Sequence, residues 1–159
     1  RQEPLVSTLE AYFQGKKDLF GGLAMERWEK DWESYLVLHI DFSLTKYMEL
    51  TDLTGQLNLF LHRWEKIYGK DEAEKTASER LQGIILRASE QIGKQVVVLI
   101  DEYDAPLLDS NSDTALQQQL RNEMRKFFSP PQEVGAVSSL SLHHRHQQVQ
   151  PTEHLQRTE

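Results

Sequence analysis

The sequence predicts an α/β protein with a parallel sheet flanked by helices, and two observations support this fold class. Segments with helical periodicity alternate with short apolar runs along the 159 residues, which is typical of parallel strands joined by helices. The run from Val96 to Ile100 consists of five apolar residues, as expected of a strand that helices cover on both faces. No internal repeat interrupts the pattern, so we expect one domain.

Two helices and one strand are predicted in the first part of the chain. The first helix covers Val6 to Gln14, where apolar residues recur three and four positions apart and a glycine follows. A second, shorter helix from Ala24 to Tyr35 places Trp28 and Trp32 on one side. We interpret these tryptophans as packing anchors rather than as a ligand-binding pair. From Leu36 to Phe42 the helical spacing stops, and β-branched, aromatic and other apolar residues predict a buried strand.

The remainder of the chain is predicted to contain three helices around one strand. Two helices are predicted, from Leu53 to Gly69 and from Ala73 to Gly93. Each has apolar residues along one side and a glycine at its carboxyl end. The strand of Val96 to Ile100 comes next. The final helix runs from Thr114 to Phe128, after the capping sequence "DSNSD".

The composition excludes several classes of partner. The formal net charge is -7, whereas nucleic acids and acidic membranes favour clustered Lys and Arg. The chain has no cysteine, which excludes disulfides and thiolate metal sites. No apolar run reaches the roughly 20 residues of a membrane-spanning helix, and the first residues have no signal-peptide pattern. We therefore expect a cytoplasmic protein that binds neither membranes nor nucleic acid.

Acidic residues directly follow the most apolar strand. Asp101 and Glu102 come after Ile100, and ligands of open α/β sheets gather at the carboxyl ends of the strands. There Asp101 could hold Mg²⁺, which prefers oxygen ligands and bridges nucleotide phosphates. Glu102 could orient or deprotonate an attacking water. An apolar strand followed by Asp-Glu is the Walker B pattern, although strands also end in acidic turns by chance.

Longer segments make the resemblance specific. The stretches "STLEAYFQGKKDLFGGL", "YLVLHIDFS", "RWEKIYGKDEAE" and "VVVLIDEYDAPLLD" resemble the AAA-ATPase-like family of bacterial proteins, and the similarity runs from about Leu5 to Pro130. It implies a P-loop NTPase core that uses ATP and Mg²⁺, often followed by a PD-(D/E)XK nuclease-like domain. By the family pattern, Asp101 is the magnesium ligand and Glu102 the catalytic carboxylate. The family signature continues through Tyr103, Asp104 and Pro106.

The phosphate-binding loop departs from the family. A P-loop ATPase needs a glycine-rich loop, a lysine and a Ser or Thr hydroxyl to hold phosphates and Mg²⁺. The family carries such a loop, the Walker A motif, just before the first helix, where this chain has "RQEP". Walker A is therefore absent, no residue is assigned to phosphate binding, and the expected fold is a partial one that lacks the P-loop strand.

A change of reading frame would explain the departure. Codons for "RQEP" read one base later permit Gly, Lys, Ser and Leu in that order. The same shift applied to "AVSSLSLHHRHQQVQPTEHLQRTE" permits the strand, the "TG-(S/T)KFS" segment and the "IFSEL" segment that the family carries next. We therefore expect a partial ATPase-like domain at residues 5–130 with no strand after Phe128. Residues 131–159 are expected to be a disordered, out-of-frame tail, produced by a pseudogene or a sequencing error.

Histidines offer two further candidate sites. His39 lies inside a predicted strand, where a core histidine hydrogen-bonded to a neighbour is the usual interpretation and a catalytic or ligand role the alternative. His143, His144 and His146 are close enough in sequence to bind Ni²⁺ or Zn²⁺ adventitiously. A structural zinc site, however, needs four convergent ligands on a supporting fold.

Two functions from different classes follow. The first is a fragment of a Mg-dependent ATP-binding and ATP-hydrolysing protein that keeps Walker B and is inactive without Walker A. The second is a non-enzymatic interaction remnant or an inert pseudogene product. Binding of an ATP analogue with Mg²⁺ separates them.

Overall fold

The protein has a parallel three-stranded sheet. The computed structural model describes residues 4–24, 32–110, 112–128 and 138–141. The strands are β1 (Leu36–Asp41), β2 (Val96–Asp101) and β3 (Ser138–Ser141), in the order β1-β2-β3. Both neighbouring pairs are parallel, so β2 is central. The predicted α/β fold with a parallel sheet is confirmed.

Helices surround the sheet at nearly the predicted positions. They are α1 (Pro4–Phe13), α2 (Leu50–Tyr68), α3 (Ala77–Ile92), α4 (Ala105–Asp109) and α5 (Thr114–Phe128). The predicted helix from Ala73 to Gly93 begins later in the structure, at Ala77. A capping box fixes this start, because the side chains of Thr76 and Glu79 each accept the other residue's backbone N–H. The four longer helices were predicted. The short helix α4 was not.

The main core lies between one face of the sheet and helices α2, α3 and α5. Leu38 and Ile40 of β1 and Val98 and Ile100 of β2 pack there with the apolar faces of these helices. Successive strand residues point to opposite faces of the sheet. The β2 residues that do not face the main core must therefore be buried by an element on the other face. Helix α1, which packs against β1 and β2, is that element. All six residues of β2 are buried, which is why this strand reads as a continuous apolar run.

The carboxyl end of helix α1 lies beside the start of β1. The backbone N–H of Tyr35 donates to the carbonyl of Phe13 (2.7 Å), and the Ser34 hydroxyl donates to the carbonyl of Gln14 (3.1 Å). The carboxyl end of α1 is therefore tied to the residues that enter β1. Because α1 also contacts β1 and β2, we infer that its first residues lie toward the edge where the parallel strands end.

The segment before β1 differs from the prediction. Of the predicted helix from Ala24 to Tyr35, residues 25–31, including Trp28, lie outside the described residues, and residues 32–35 are not helical. The hydrogen bonds of Tyr35 and of Leu36, whose N–H donates to the carbonyl of Gln95 (2.9 Å), lead these residues into the sheet instead. The indole of Trp32 does pack against aromatic rings, with centroids 5.2 Å from Phe20.

The end of the chain also differs in part. No strand was expected after Phe128, whereas Ser138–Ser141 forms β3 beside β2. Strand pairing uses backbone N–H and C=O groups, which a serine-rich segment supplies as well as an apolar one. Residues 142–159, with His143, His144 and His146, lie outside the described residues. The boundaries 5–130 and 131–159 remain a prediction. None of the described helices is long and apolar enough to cross a membrane.

Candidate functional site

The two longer strands end together in a pair of aspartates. Asp41 ends β1, Asp101 ends β2, and the two are register partners in the parallel ladder. Register partners in a parallel pair point to the same face and have their backbones about 4.8 Å apart. The sequence carried a signal for this pair, since "HIDFS" and "LIDEY" each place an aspartate at a strand end. Sequence reasoning had assigned a role to Asp101 alone.

Asp101 is a buried carboxylate with a defined orientation. The residue is 7% exposed, and its Oδ1 accepts the backbone N–H of Glu102 at 3.0 Å. Its Oδ2 lies 4.0 Å from Nε2 of His39 on the neighbouring strand. A carboxylate at this depth is unusual unless it has partners or a ligand. The structure therefore places the predicted metal residue at the carboxyl edge of the central strand.

A core histidine is expected to hydrogen-bond to a neighbour, but His39 makes no such bond through Nε2. Nε2 is buried and has no hydrogen-bond partner among the described residues. At 4.0 Å, Asp101 Oδ2 is within ion-pair distance but outside hydrogen-bond distance. The side chain is 19% exposed, and His39 lies two residues before the end of β1.

Glu102 has a strained backbone. Its φ is 51°, in the left-handed region that costs a non-glycine residue about 1 kcal/mol or more. Two hydrogen bonds hold this conformation: its N–H donates to Asp101, and its carbonyl accepts the N–H of Ala105 at 2.9 Å. The chain thus turns sharply between the two predicted site residues and enters α4.

The rest of the "DEYD-P" signature supports this turn. Tyr103 packs on Phe128 of α5, with ring centroids 5.9 Å apart, and Pro106 is buried in the first turn of α4. Asp104 precedes α4 without capping it through its side chain. One of its carboxylate oxygens, Oδ1, is buried without a hydrogen-bond partner among the described residues.

Asp109, the last residue of α4, joins this helix to the loop that follows β1. Its carboxylate accepts from Lys46 Nζ (3.0 Å) and from the backbone N–H of Tyr47 (3.2 Å), both in the loop after β1. The Tyr47 hydroxyl donates to the carbonyl of Phe42 at 2.9 Å. Burial, and next the negative charges of Asp41 and Asp109, raise the pKa of Tyr47 above its usual range. Sequence reasoning missed this clamp because its partners lie far apart along the chain.

A comparison with protein families identifies the fold around this edge. The family model described as Predicted AAA-ATPase matches residues 4–140. The chain belongs to this AAA-ATPase-like family. The resemblance inferred from the sequence is therefore confirmed at the level of the family.

One curated relative aligns with most of the chain. It is the "Uncharacterized protein in vnfD 5'region" of Azotobacter chroococcum mcd 1, which is 32% identical over 126 residues. The alignment covers 78% of this chain and 24% of the relative, so the chain spans about a quarter of the length of that protein. No solved structure matches the chain significantly.

The oxygen ligands at the carboxyl edge fit the hard cation that an AAA-ATPase-like protein would use. Among the described residues, no three His, Asp or Glu side chains converge as metal ligands. Mg²⁺ commonly takes only one or two protein carboxylates and completes its shell with water and substrate phosphates, so Asp101 with Asp41 beside it is a suitable donor set. The 159 residues contain no Gly-Lys-Ser or Gly-Lys-Thr sequence.

A second charged region lies between α2 and α3. Arg80 of α3 donates to both oxygens of Glu65, at 2.7 and 2.9 Å, and this hydrogen bonding lowers the pKa of Glu65. Arg87 pairs in the same way with Glu74 of the connecting segment. Glu65, Arg80 and Glu74 line a polar cavity of about 480 Å³. Each arginine makes two hydrogen bonds to its carboxylate, although Nε of Arg87 is buried without a hydrogen-bond partner among the described residues. We interpret the two pairs as a structural lock on the connection between the two helices.

Proposed function

We propose that the chain is a segment of a Mg-dependent ATP-binding and ATP-hydrolysing protein of the AAA-ATPase-like family. In this proposal Asp101 holds Mg²⁺ and Glu102 orients the water that attacks the terminal phosphate. The observation that carries it is a buried carboxylate at the end of the central parallel strand, in a chain of this family. When bound, Mg²⁺ would neutralise charge on the phosphate oxygens.

The direction of α1 supports a phosphate site at the same edge. The amino end of a helix carries partial positive charge and free N–H groups, which favour phosphate. The hydrogen bond between Tyr35 and Phe13 fixes the opposite end of α1 near the start of β1. The amino end of α1 therefore points toward the edge that carries Asp101, so a phosphate-binding loop before α1 would face the proposed magnesium ligand.

The turn after β2 supports different roles for the two acidic residues. Asp101 is buried, and its Oδ1 is oriented by the N–H of Glu102, as suits a fixed metal ligand. Glu102 is only partly buried, and it lies in the left-handed turn that follows the strand. A residue that receives a proton or orients water needs access to solvent and substrate. The strain at Glu102 is consistent with a position selected for function rather than for stability.

We propose that this chain does not itself hold nucleotide, because "RQEP" occupies the place of the Walker A loop. The test is titration of a fluorescent ATP analogue with Mg²⁺, followed by anisotropy. We expect no saturable binding to this chain and binding to a version in which the family's P-loop strand and Gly-Lys-Ser loop are restored before Leu5. Asp101→Asn in the restored version should remove the Mg dependence. Saturable, Mg-dependent binding of the analogue to the present chain would refute the proposal that this chain does not hold nucleotide.

The proposed cause is a change of frame before about Leu5 and after about Pro131. Sequencing the gene and its flanks tests it directly. We expect one base to be lost between Pro4 and Leu5 and one to be gained at Pro130 or Pro131, relative to an intact family member. DNA that continues in the stated frame into other coding sequence on both sides would show that the frame hypothesis is wrong.

The alternative, a non-enzymatic interaction remnant or inert pseudogene product, also has an observation in its favour. Leu44, Met48 and Leu108 are 61%, 70% and 62% exposed around the Asp109 clamp. Exposed apolar side chains of this size on one edge are typical of surfaces that contact another protein. This alternative predicts that restoring the P-loop confers no nucleotide binding, so the same titration decides between the two functions.

A further inference from the structure

His39 and Asp101 form a pair that the family resemblance does not assign. The two residues lie on adjacent strands, with His39 two positions before the register partner of Asp101. Strand alternation therefore directs both side chains to the same face of the sheet. Nε2 of His39 is 4.0 Å from Oδ2 of Asp101, and the exposed fractions of the two side chains are 19% and 10%.

The imidazole of His39 lacks a hydrogen bond that Asp101 could provide. Nε2 is buried and has no hydrogen-bond partner among the described residues, a state that is unfavourable for a polar atom. Oδ1 of Asp101 accepts the N–H of Glu102, and Oδ2 is the oxygen that faces the imidazole. A contraction of about 1 Å would convert the present contact into a hydrogen bond.

We propose that His39 is a positioning residue for Asp101: its Nε2–H holds Oδ2 so that the carboxylate keeps one orientation toward a divalent cation. This inference rests on the proposed role of Asp101 as a cation ligand. Outer groups that hydrogen-bond a ligating carboxylate fix its orientation, and their loss typically weakens metal binding about 10- to 100-fold. His39 itself is not a ligand in this arrangement.

The experiment measures Mn²⁺ binding to the complete 159-residue chain by electron paramagnetic resonance of the free ion, at one fixed pH. Mn²⁺ replaces Mg²⁺ because both prefer oxygen ligands, and no nucleotide is needed. The variants are Asp101→Asn, His39→Leu and His39→Gln, since glutamine places a donor near the position of Nε2. His62→Leu removes an exposed histidine of α2 and is the matched control for adventitious imidazole binding. Thermal unfolding is measured for each.

Each outcome decides between the roles. We expect His39→Leu to weaken Mn²⁺ binding about 10-fold while its unfolding temperature is unchanged or higher, because a buried unpaired nitrogen has been removed. His39→Gln should restore binding to within about threefold, and His62→Leu should have no effect. Unchanged binding in His39→Leu beside lost binding in Asp101→Asn overturns the role of His39 and leaves the proposed function standing. Binding unaffected by Asp101→Asn, or absent from the unmodified chain, overturns both.

Discussion

Gly55 and Gly83 both lie inside helices, yet we expect alanine to have opposite effects at the two positions. Alanine is favoured over glycine in a helix interior by about 1 kcal/mol. At Gly55 of α2, an added Cβ would meet no atom within 4 Å, so Gly55→Ala should stabilise the protein by about 1 kcal/mol. At Gly83 of α3, an added Cβ would overlap the Glu74 carboxylate and lie 2.7 Å from Nη1 of Arg87.

The magnitude at Gly83 follows from the pair that the methyl group would displace. Arg87 and Glu74 share two hydrogen bonds, and their side chains are only 23% and 14% exposed. Hydrogen bonds to charged groups contribute about 1.5–3 kcal/mol, and the gain in helix propensity offsets about 1 kcal/mol of that. Gly83→Ala should therefore destabilise the protein by about 1 kcal/mol, or about 3 °C for a chain of this size.

Urea unfolding followed by tryptophan fluorescence measures both changes. A second pair of variants isolates the cause: in a Glu74→Ala background the carboxylate is gone, so Gly83→Ala should become stabilising by about 1 kcal/mol, as at Gly55. Equal stabilisation by alanine at Gly55 and Gly83 in the unmodified chain would refute the placement of Glu74 against α3.

Two further predictions concern the strained turn and the buried ion pair. Glu102→Gly should unfold with a free energy about 1 kcal/mol higher than that of Glu102→Ala, because both changes remove the side chain beyond Cβ but only glycine adopts a positive φ without strain; equal stability of the two variants would contradict the strain. The pKa of Glu65 is lowered by the hydrogen bond from Arg80, so its stabilisation is present above the unfolded value of about 4.3 and is lost as pH falls below it. The unfolding free energy of the unmodified chain should thus fall more steeply in acid than that of Glu65→Gln, and parallel pH profiles would contradict this.

Local signals predicted the elements whose own residues specify them. The final helix was predicted as Thr114 to Phe128, which are its observed limits, because its capping sequence and apolar stripe are both local. The strand from Val96 was predicted because burial on both faces leaves an unbroken apolar run. Prediction was wrong for residues 32–35, where two tryptophans at helical spacing suggested a helix. There, long-range pairing with Phe13 and Gln95 outweighs local periodicity.

The candidate site was only half visible in the sequence. Asp101 and Glu102 could be identified because they directly follow a buried strand, and their position at its carboxyl end follows from that order alone. The pairing of Asp101 with Asp41 and His39 depends on the register between strands that are 60 residues apart. A shift of the register by one residue would turn the opposing side chains to the other face, and no local pattern specifies it.

The sequence by itself determined that this chain is an α/β protein of the AAA-ATPase-like family with an acidic pair at a strand end, because periodicity, apolar runs and family segments are all written in consecutive residues. Tertiary structure alone decided that His39 faces Asp101 and that Asp109 joins α4 to the loop after β1. It also decided that Arg80 and Arg87 bind α3 to its neighbours. These contacts join residues between 13 and 63 positions apart. Their formation depends on how whole elements pack, since burial and charge pairing act between segments that local propensity treats as independent.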